Sequence, residues 1–134
     1  YISTVGNTFW YAPFAPKGNI DIGCIFNKAS ILDLEETDLQ GFEEGFKKVI
    51  DYFVEENVPA YNMSIFSARS EDEKWFKSNL RILGRRFLPP TGASDINYFN
   101  TLHMESVALF LPEEVAQKMR TIWAEKRDEK RILP

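Results

Sequence analysis

Tyr61-Asn62-Met63-Ser64-Ile65-Phe66, carried through a basic segment to Arg85-Arg86-Phe87-Leu88-Pro89-Pro90, decides the fold of this chain. The first run reads as a strand over 61–68. Asn62 and Ser64 alternate with Tyr61, Met63 and Ile65, so small polar groups line one sheet face and large apolar groups the other. A polar loop over 69–73 leads to a second strand over 78–87. Pro89-Pro90-Thr91-Gly92 ends it as a loop.

Working outward, 8–12 forms an aromatic strand closed by Pro13 and Pro16, and Lys17-Gly18-Asn19 turns the chain. Ile20, Ile22, Cys24 and Phe26 then alternate with Asp21, Gly23 and Ile25, the period of a half-buried strand. The short connection makes these two strands antiparallel neighbours. A helix follows. Thr37 and Gln40 have capping-box spacing, and Leu39, Phe42, Phe46, Val49, Ile50 and Phe53 recur at helical intervals. Gly41 and Gly45 inside it each cost about 1 kcal/mol against Ala and mark close packing on the sheet. Asn57 and Pro59 stop it. Residues 97–109 lean towards strand, and a last helix opens at Pro112 with Glu113 and Glu114 in its first turn and Val115, Ala116, Met119, Ile122 and Trp123 on one face. The expectation is one α+β domain over 1–134, an antiparallel sheet with two main helices packed on it and a frayed tail at 126–134.

Composition narrows function by exclusion. With 44% hydrophobic residues the chain has the makings of one core. It has no apolar run long enough for a membrane helix, so a soluble protein is expected. The net charge of −4 argues against general nucleic-acid binding. A lone cysteine, Cys24, precludes an internal disulfide and favours a cytoplasmic setting. The chain opens at Tyr1, which suits a processed form, a domain or one half of a longer protein. Charge is unevenly spread: nine acidic residues lie between Asp33 and Glu56, and five basic residues with no acid between Lys74 and Arg86.

In order along the chain, Ala12-Pro13-Phe14, Leu32-Asp33-Leu34, Ala60-Tyr61-Asn62-Met63, Phe87-Leu88-Pro89-Pro90 and Pro112-Glu113-Glu114-Val115-Ala116 resemble the segments of the C-terminal half of galactose-1-phosphate uridylyltransferases, in the histidine-triad superfamily. The resemblance implies a histidine-triad-like fold and a nucleotide or sugar phosphate as ligand. The departures are chemical. Where that family has metal-binding histidines, this chain has Phe66 and Gly84-Arg85-Arg86; a phenyl ring has no ligand atom and an arginine stays protonated, so no metal and no cofactor is expected. The family's nucleophilic histidine belongs to its other half. With His103 as its single histidine, this chain cannot alone build a two-histidine site. Glu105 matches the glutamate that contacts the hexose.

Each candidate site has two readings. Arg81, Arg85 and Arg86, with Lys77, suit a phosphate gripped bidentately. Alternatively, Arg81 and Arg85 lie on one face of an outer strand and pair with the acidic helix, an interaction that contributes little. His103 and Glu105, two apart on a strand, share a face and suit a general acid/base with its orienting carboxylate; a lone histidine without a nucleophile is more often structural. Asn62 and Ser64 face either a ligand or water. Three functions follow: a uridylyltransferase-like half that binds nucleotide or sugar phosphate and needs a catalytic half, an inactive dimerisation or interaction module, and a phosphate-ester enzyme using His103 and Glu105. The partners expected are a second copy in a homodimer or a catalytic half in the same native protein.

Overall fold

The computed structural model describes residues 1–88, 90, 93–94, 108 and 110–124. Its strands are β1 (Ser3–Val5), β2 (Thr8–Tyr11), β3 (Ile20–Ile25), β4 (Ala60–Phe66), β5 (Asn79–Arg85), β6 (Phe87–Leu88) and β7 (Ala93–Ser94); its helices are α1 (Glu36–Glu55) and α2 (Pro112–Ala124). Five strands form one antiparallel sheet in the order β1-β2-β3-β5-β4, and β6 and β7 pair as a separate hairpin. The expected α+β architecture, an antiparallel sheet with two helices, is what the chain adopts. Single-turn 3-10 helices at Ile31–Asp33 and Ser70–Asp72 occupy two connections.

Three local expectations change. β1 precedes the first expected strand; Gly6 at φ 52° supplies the backbone geometry of the turn into β2. α1 begins at Glu36 rather than at a Thr37 cap, and the Asp38 carboxylate accepts the Glu35 N–H at 2.9 Å. Carboxylates in that first turn suit the positive end of the helix dipole. β5 stops at Arg85 because β6 turns away to pair with β7. The expected strand at 97–109 and the tail at 126–134 lie outside the described residues, apart from position 108.

Asn57 ends α1 in the left-handed region, φ 54°, and the Val58 N–H returns to the Phe53 carbonyl at 2.8 Å, the closure that satisfies a terminal carbonyl. Both helices pack on one sheet face. Trp10, fully buried, stacks on Phe42 at 5.9 Å and meets Trp123 of α2 at 5.7 Å. Its indole N–H is satisfied by the Thr8 hydroxyl at 3.0 Å. Ile20, Ile22, Cys24, Leu80 and Ile82 continue this core. Burial pushes the Cys24 thiol up to about 12, so it stays protonated and serves as packing.

The two helix glycines explain how close the layers lie. A Cβ on Gly45 would stand 2.3 Å from the Trp10 ring, and one on Gly41 2.6 Å from the Val5 carbonyl oxygen. Gly45→Ala therefore gains helix propensity but overpacks the core. It is expected to destabilise the fold by about 1–3 kcal/mol, read from the urea midpoint; an unchanged or raised midpoint contradicts the packing described.

Candidate functional site on the open sheet face

Strand alternation sends every second side chain of the sheet away from the helices. On β3, β5 and β4 the register aligns Gly23 with Arg81 and Arg81 with Ser64, Asp21 with Leu83 and Leu83 with Asn62, and Asn79 with Phe66. These side chains share the open face. A cavity of about 370 Å³ lies among Lys17, Asn62, Ser64, Phe66, Asn79, Arg81 and Leu83. Ligand pockets run from about 300 to 1,000 Å³, so this one suits a single ring with its substituents.

Arg81 is held in place. Its Nε–H donates to Asp21 Oδ1 at 2.8 Å and its Nη2 to Asp21 Oδ2, a bidentate pair. Asp21 Oδ2 also accepts the Lys17 backbone N–H at 2.7 Å. The Asp21 side chain is 0% exposed and that of Arg81 24%, so the carboxylate lies beneath the guanidinium. Hydrogen bonding to Asp21 raises Arg81 above its ordinary range, against an opposing contribution from burial. Tyr11 lies across Gly23, where a Cβ would meet its ring at 2.3 Å; burial pushes its phenol up while Arg81 draws it down. β3 is thus covered on both faces, not half-buried.

Of the residues expected to bind a ligand, Asn62, Ser64 and Arg81 meet in this cavity. Arg85, opposite Ala60, follows Leu83 by two residues at the same face of β5. Arg86 departs: it donates to the Glu56 carbonyl, reaches Glu56 Oε2 at 3.3 Å and lies 5.0 Å from the Phe110 ring. The alternation of a strand separates adjacent arginines, and Arg86 instead braces the C-terminal end of α1, where a cation is favourable. β5 is an inner strand, and Arg81 pairs with Asp21, not with the acidic helix. That corrects the outer-strand ion-pair reading. His103 and Glu105 lie outside the described residues.

Lys17, Phe66, Asn79, Leu83 and the buried Asp21 join the site without having been singled out for it. Their signal was register: Asp21 occupies the non-core position of β3, and only its pairing shows that Arg81 sits alongside. The metal-site correspondence does not close. Phe66 pairs with Asn79 while Arg85 pairs with Ala60, six residues along β5, roughly 20 Å at a strand's rise. Residues at those two ends do not fit one metal ion. Among the described residues no three His, Cys, Asp or Glu side chains are placed to hold one.

The chain has the fold of the uridylyltransferase-like proteins, consistent with their C-terminal half. An ADP-glucose phosphorylase from Arabidopsis thaliana, solved with ADP-glucose bound, superposes with a TM-score of 0.70 at 20% identity, over 89% of this chain and 39% of that one. A GALT-like protein from the same plant gives 0.69 at 19% identity, over 89% and 40%. A solved uridylyltransferase gives 0.69 at 14% identity, over 93% and 42%. In sequence, the chain is 34% identical over 125 residues to an uncharacterized protein of Archaeoglobus fulgidus, covering 93% of this chain and 38% of the relative. No family model matches. The chain therefore spans about two fifths of the length of each of these proteins. Among the described residues no helix is long and apolar enough to cross a membrane.

The Asp21–Arg81 pair makes an asymmetric prediction. Removing one partner of a buried pair costs about 3–5 kcal/mol. Arg81→Met strands a carboxylate with no exposure; Asp21→Asn leaves a guanidinium that reaches water. Arg81→Met is expected to lower the urea-derived stability more than Asp21→Asn does, and equal losses or the reverse order contradict the arrangement.

Proposed function

We propose that this chain is the ligand-holding half of a uridylyltransferase-like protein, one that binds a nucleotide or sugar phosphate on its open sheet face. Chemistry in this reading belongs to a catalytic half, in the same polypeptide or in a partner, because a single histidine cannot form the family's two-histidine constellation. The observation that carries the reading is the cavity itself: a pre-positioned guanidinium, two amides and a hydroxyl between apolar walls. The bound ADP-glucose of the Arabidopsis phosphorylase supports it as an analogy of fold.

Each lining residue has a physical part. Phe66 and Leu83 offer apolar surface to a sugar or base ring. Asn62 and Asn79 each present a donor and an acceptor, and Ser64 a hydroxyl that does either. Arg81, fixed by Asp21, donates without first losing side-chain freedom. Its charge is largely compensated by the carboxylate beneath it. Lys17, at the rim, supplies an ammonium towards phosphate. A lone cysteine, Cys24, with no partner for an internal disulfide suits a reducing, cytoplasmic setting.

The test is thermal unfolding of the chain in ADP-glucose, UDP-glucose and glucose 1-phosphate. A ligand that binds is expected to stabilise the fold by roughly 2.7 kcal/mol at a hundredfold excess over its dissociation constant, and less at high salt. Asn62→Ala and Lys17→Ala should remove that gain while leaving the unliganded midpoint within about 0.5 kcal/mol, as surface substitutions do. A midpoint that none of the three compounds raises refutes the reading.

A further inference from the structure

One carboxylate governs both cations of the open-face cavity. Asp21, whose side chain has no exposure, accepts the Arg81 Nε–H at 2.8 Å and a second hydrogen bond from Arg81 Nη2. It also accepts the Lys17 backbone N–H at 2.7 Å, which places the loop that carries the Lys17 ammonium. With Asp21 beneath them, the two lining cations leave a single net positive charge; without it they would leave both. The other lining side chains, Asn62, Ser64, Asn79, Phe66 and Leu83, are uncharged.

Stability alone does not account for this pair. A buried ion pair contributes little beyond what well-packed apolar side chains of similar volume would give, because desolvation offsets most of the attraction. β3 and β5 are already joined by their backbone register and by the core of Ile20, Ile22, Leu80 and Ile82 on the opposite face. The pair has a consequence for what can bind. An unpaired arginine offers five N–H donors and a full charge, the combination that grips phosphate. Here Asp21 takes two of the donors and compensates the charge, while the remaining N–H groups belong to a side chain that is 24% exposed. They can donate to hydroxyl oxygens. The carboxylate beneath them repels an incoming anion.

Building on the proposed binding of a nucleotide or sugar phosphate at this cavity, we infer that Asp21 is its specificity-determining residue. By neutralising Arg81 it makes the cavity a place for the uncharged, hydroxyl-bearing ring of the ligand and turns the phosphate out to the rim, at Lys17. Asn62, Ser64, Asn79 and the remaining Arg81 N–H groups suit ring hydroxyls, which both donate and accept. Phe66 and Leu83 suit the C–H face of such a ring. The volume of about 370 Å³ holds one ring and leaves the phosphate outside. Asp21 acts through Arg81 and the Lys17 loop, so its signature is a change in ligand preference and not only in stability.

Isothermal titration of the full chain with glucose, glucose 1-phosphate and inorganic pyrophosphate tests the inference. Wild type is expected to bind glucose 1-phosphate within about tenfold of glucose, the scale of one exposed charge pair. Asp21→Asn, which releases the Arg81 charge, should raise pyrophosphate affinity by roughly tenfold or more. That gain should shrink at high salt, and glucose affinity should not rise with it. The double variant Asp21→Asn/Arg81→Met should lose the gain, and Asp21→Glu, which keeps the negative charge, should keep the wild-type preference. A folded Asp21→Asn that favours phosphate no more than wild type does, or a gain that survives removal of Arg81, overturns the inference. If wild type binds neither glucose nor glucose 1-phosphate, the ligand reading fails by itself, and the pyrophosphate comparison still decides the role of Asp21. Should Asp21→Asn fail to fold, wild type decides: a preference for glucose 1-phosphate over glucose above about a hundredfold, lost steeply in salt, overturns the inference, and one within about tenfold supports it.

Discussion

Trp10 is the piece on which the two layers of this protein are fitted together. Its ring lies where a Cβ of Gly45 would be, it stacks on Phe42, and it touches Trp123 from the second helix. A buried tryptophan contributes more area than any other side chain but needs a partner for its N–H, and Thr8 from the same strand supplies it. Because Trp10 sits on β2, both helices are drawn towards the β1–β2 side of the sheet. Two consequences shape the rest: the opposite face is left to polar chemistry, and among the described strands β4 stands at an edge of the sheet.

The open face depends on a second, electrostatic constraint. Asp21 is a carboxylate without solvent contact, a placement that costs several kcal/mol unless hydrogen bonds offset it. Three of them do, two from Arg81 and one from the Lys17 backbone. The arrangement ties β3 to β5 on the side that the helices do not reach and fixes the loop that carries Lys17. It also divides the basic block. Arg81 is committed to Asp21, and Arg86 to the end of α1 with Glu56, which Lys118 of α2 also contacts. The positive field that the composition suggests is largely compensated where it falls, so the proposed recognition in the cavity would rest on shape and hydrogen bonding more than on charge.

Much of this was legible in the sequence, for reasons that differ by element. The alternation of Ile20, Ile22 and Cys24 and the spacing of Phe42, Phe46, Val49 and Phe53 are local, and the strand and helix they predict are present. The glycines in α1 marked close packing correctly, although only the tertiary structure shows that they meet Val5 and Trp10. β1 was missed because three residues cannot establish a period. The Asp21–Arg81 pair joins positions sixty residues apart, and its existence depends on the register between β3 and β5, which no local pattern encodes. Likewise, basic residues that are neighbours in sequence suggested one site, whereas the pleat sends them to different sides.

The central claim is that a nucleotide or sugar phosphate binds to the face of the sheet away from the helices. Titration of ADP-glucose into isotopically labelled protein, followed by amide and side-chain NH₂ resonances, tests it most directly. The account predicts that the largest shifts fall on Asn62, Ser64, Asn79 and Lys17, with Val49, Tyr52 and Met119 on the helix side unchanged. Shifts concentrated among those helix-side residues, or none at millimolar ligand, would contradict it.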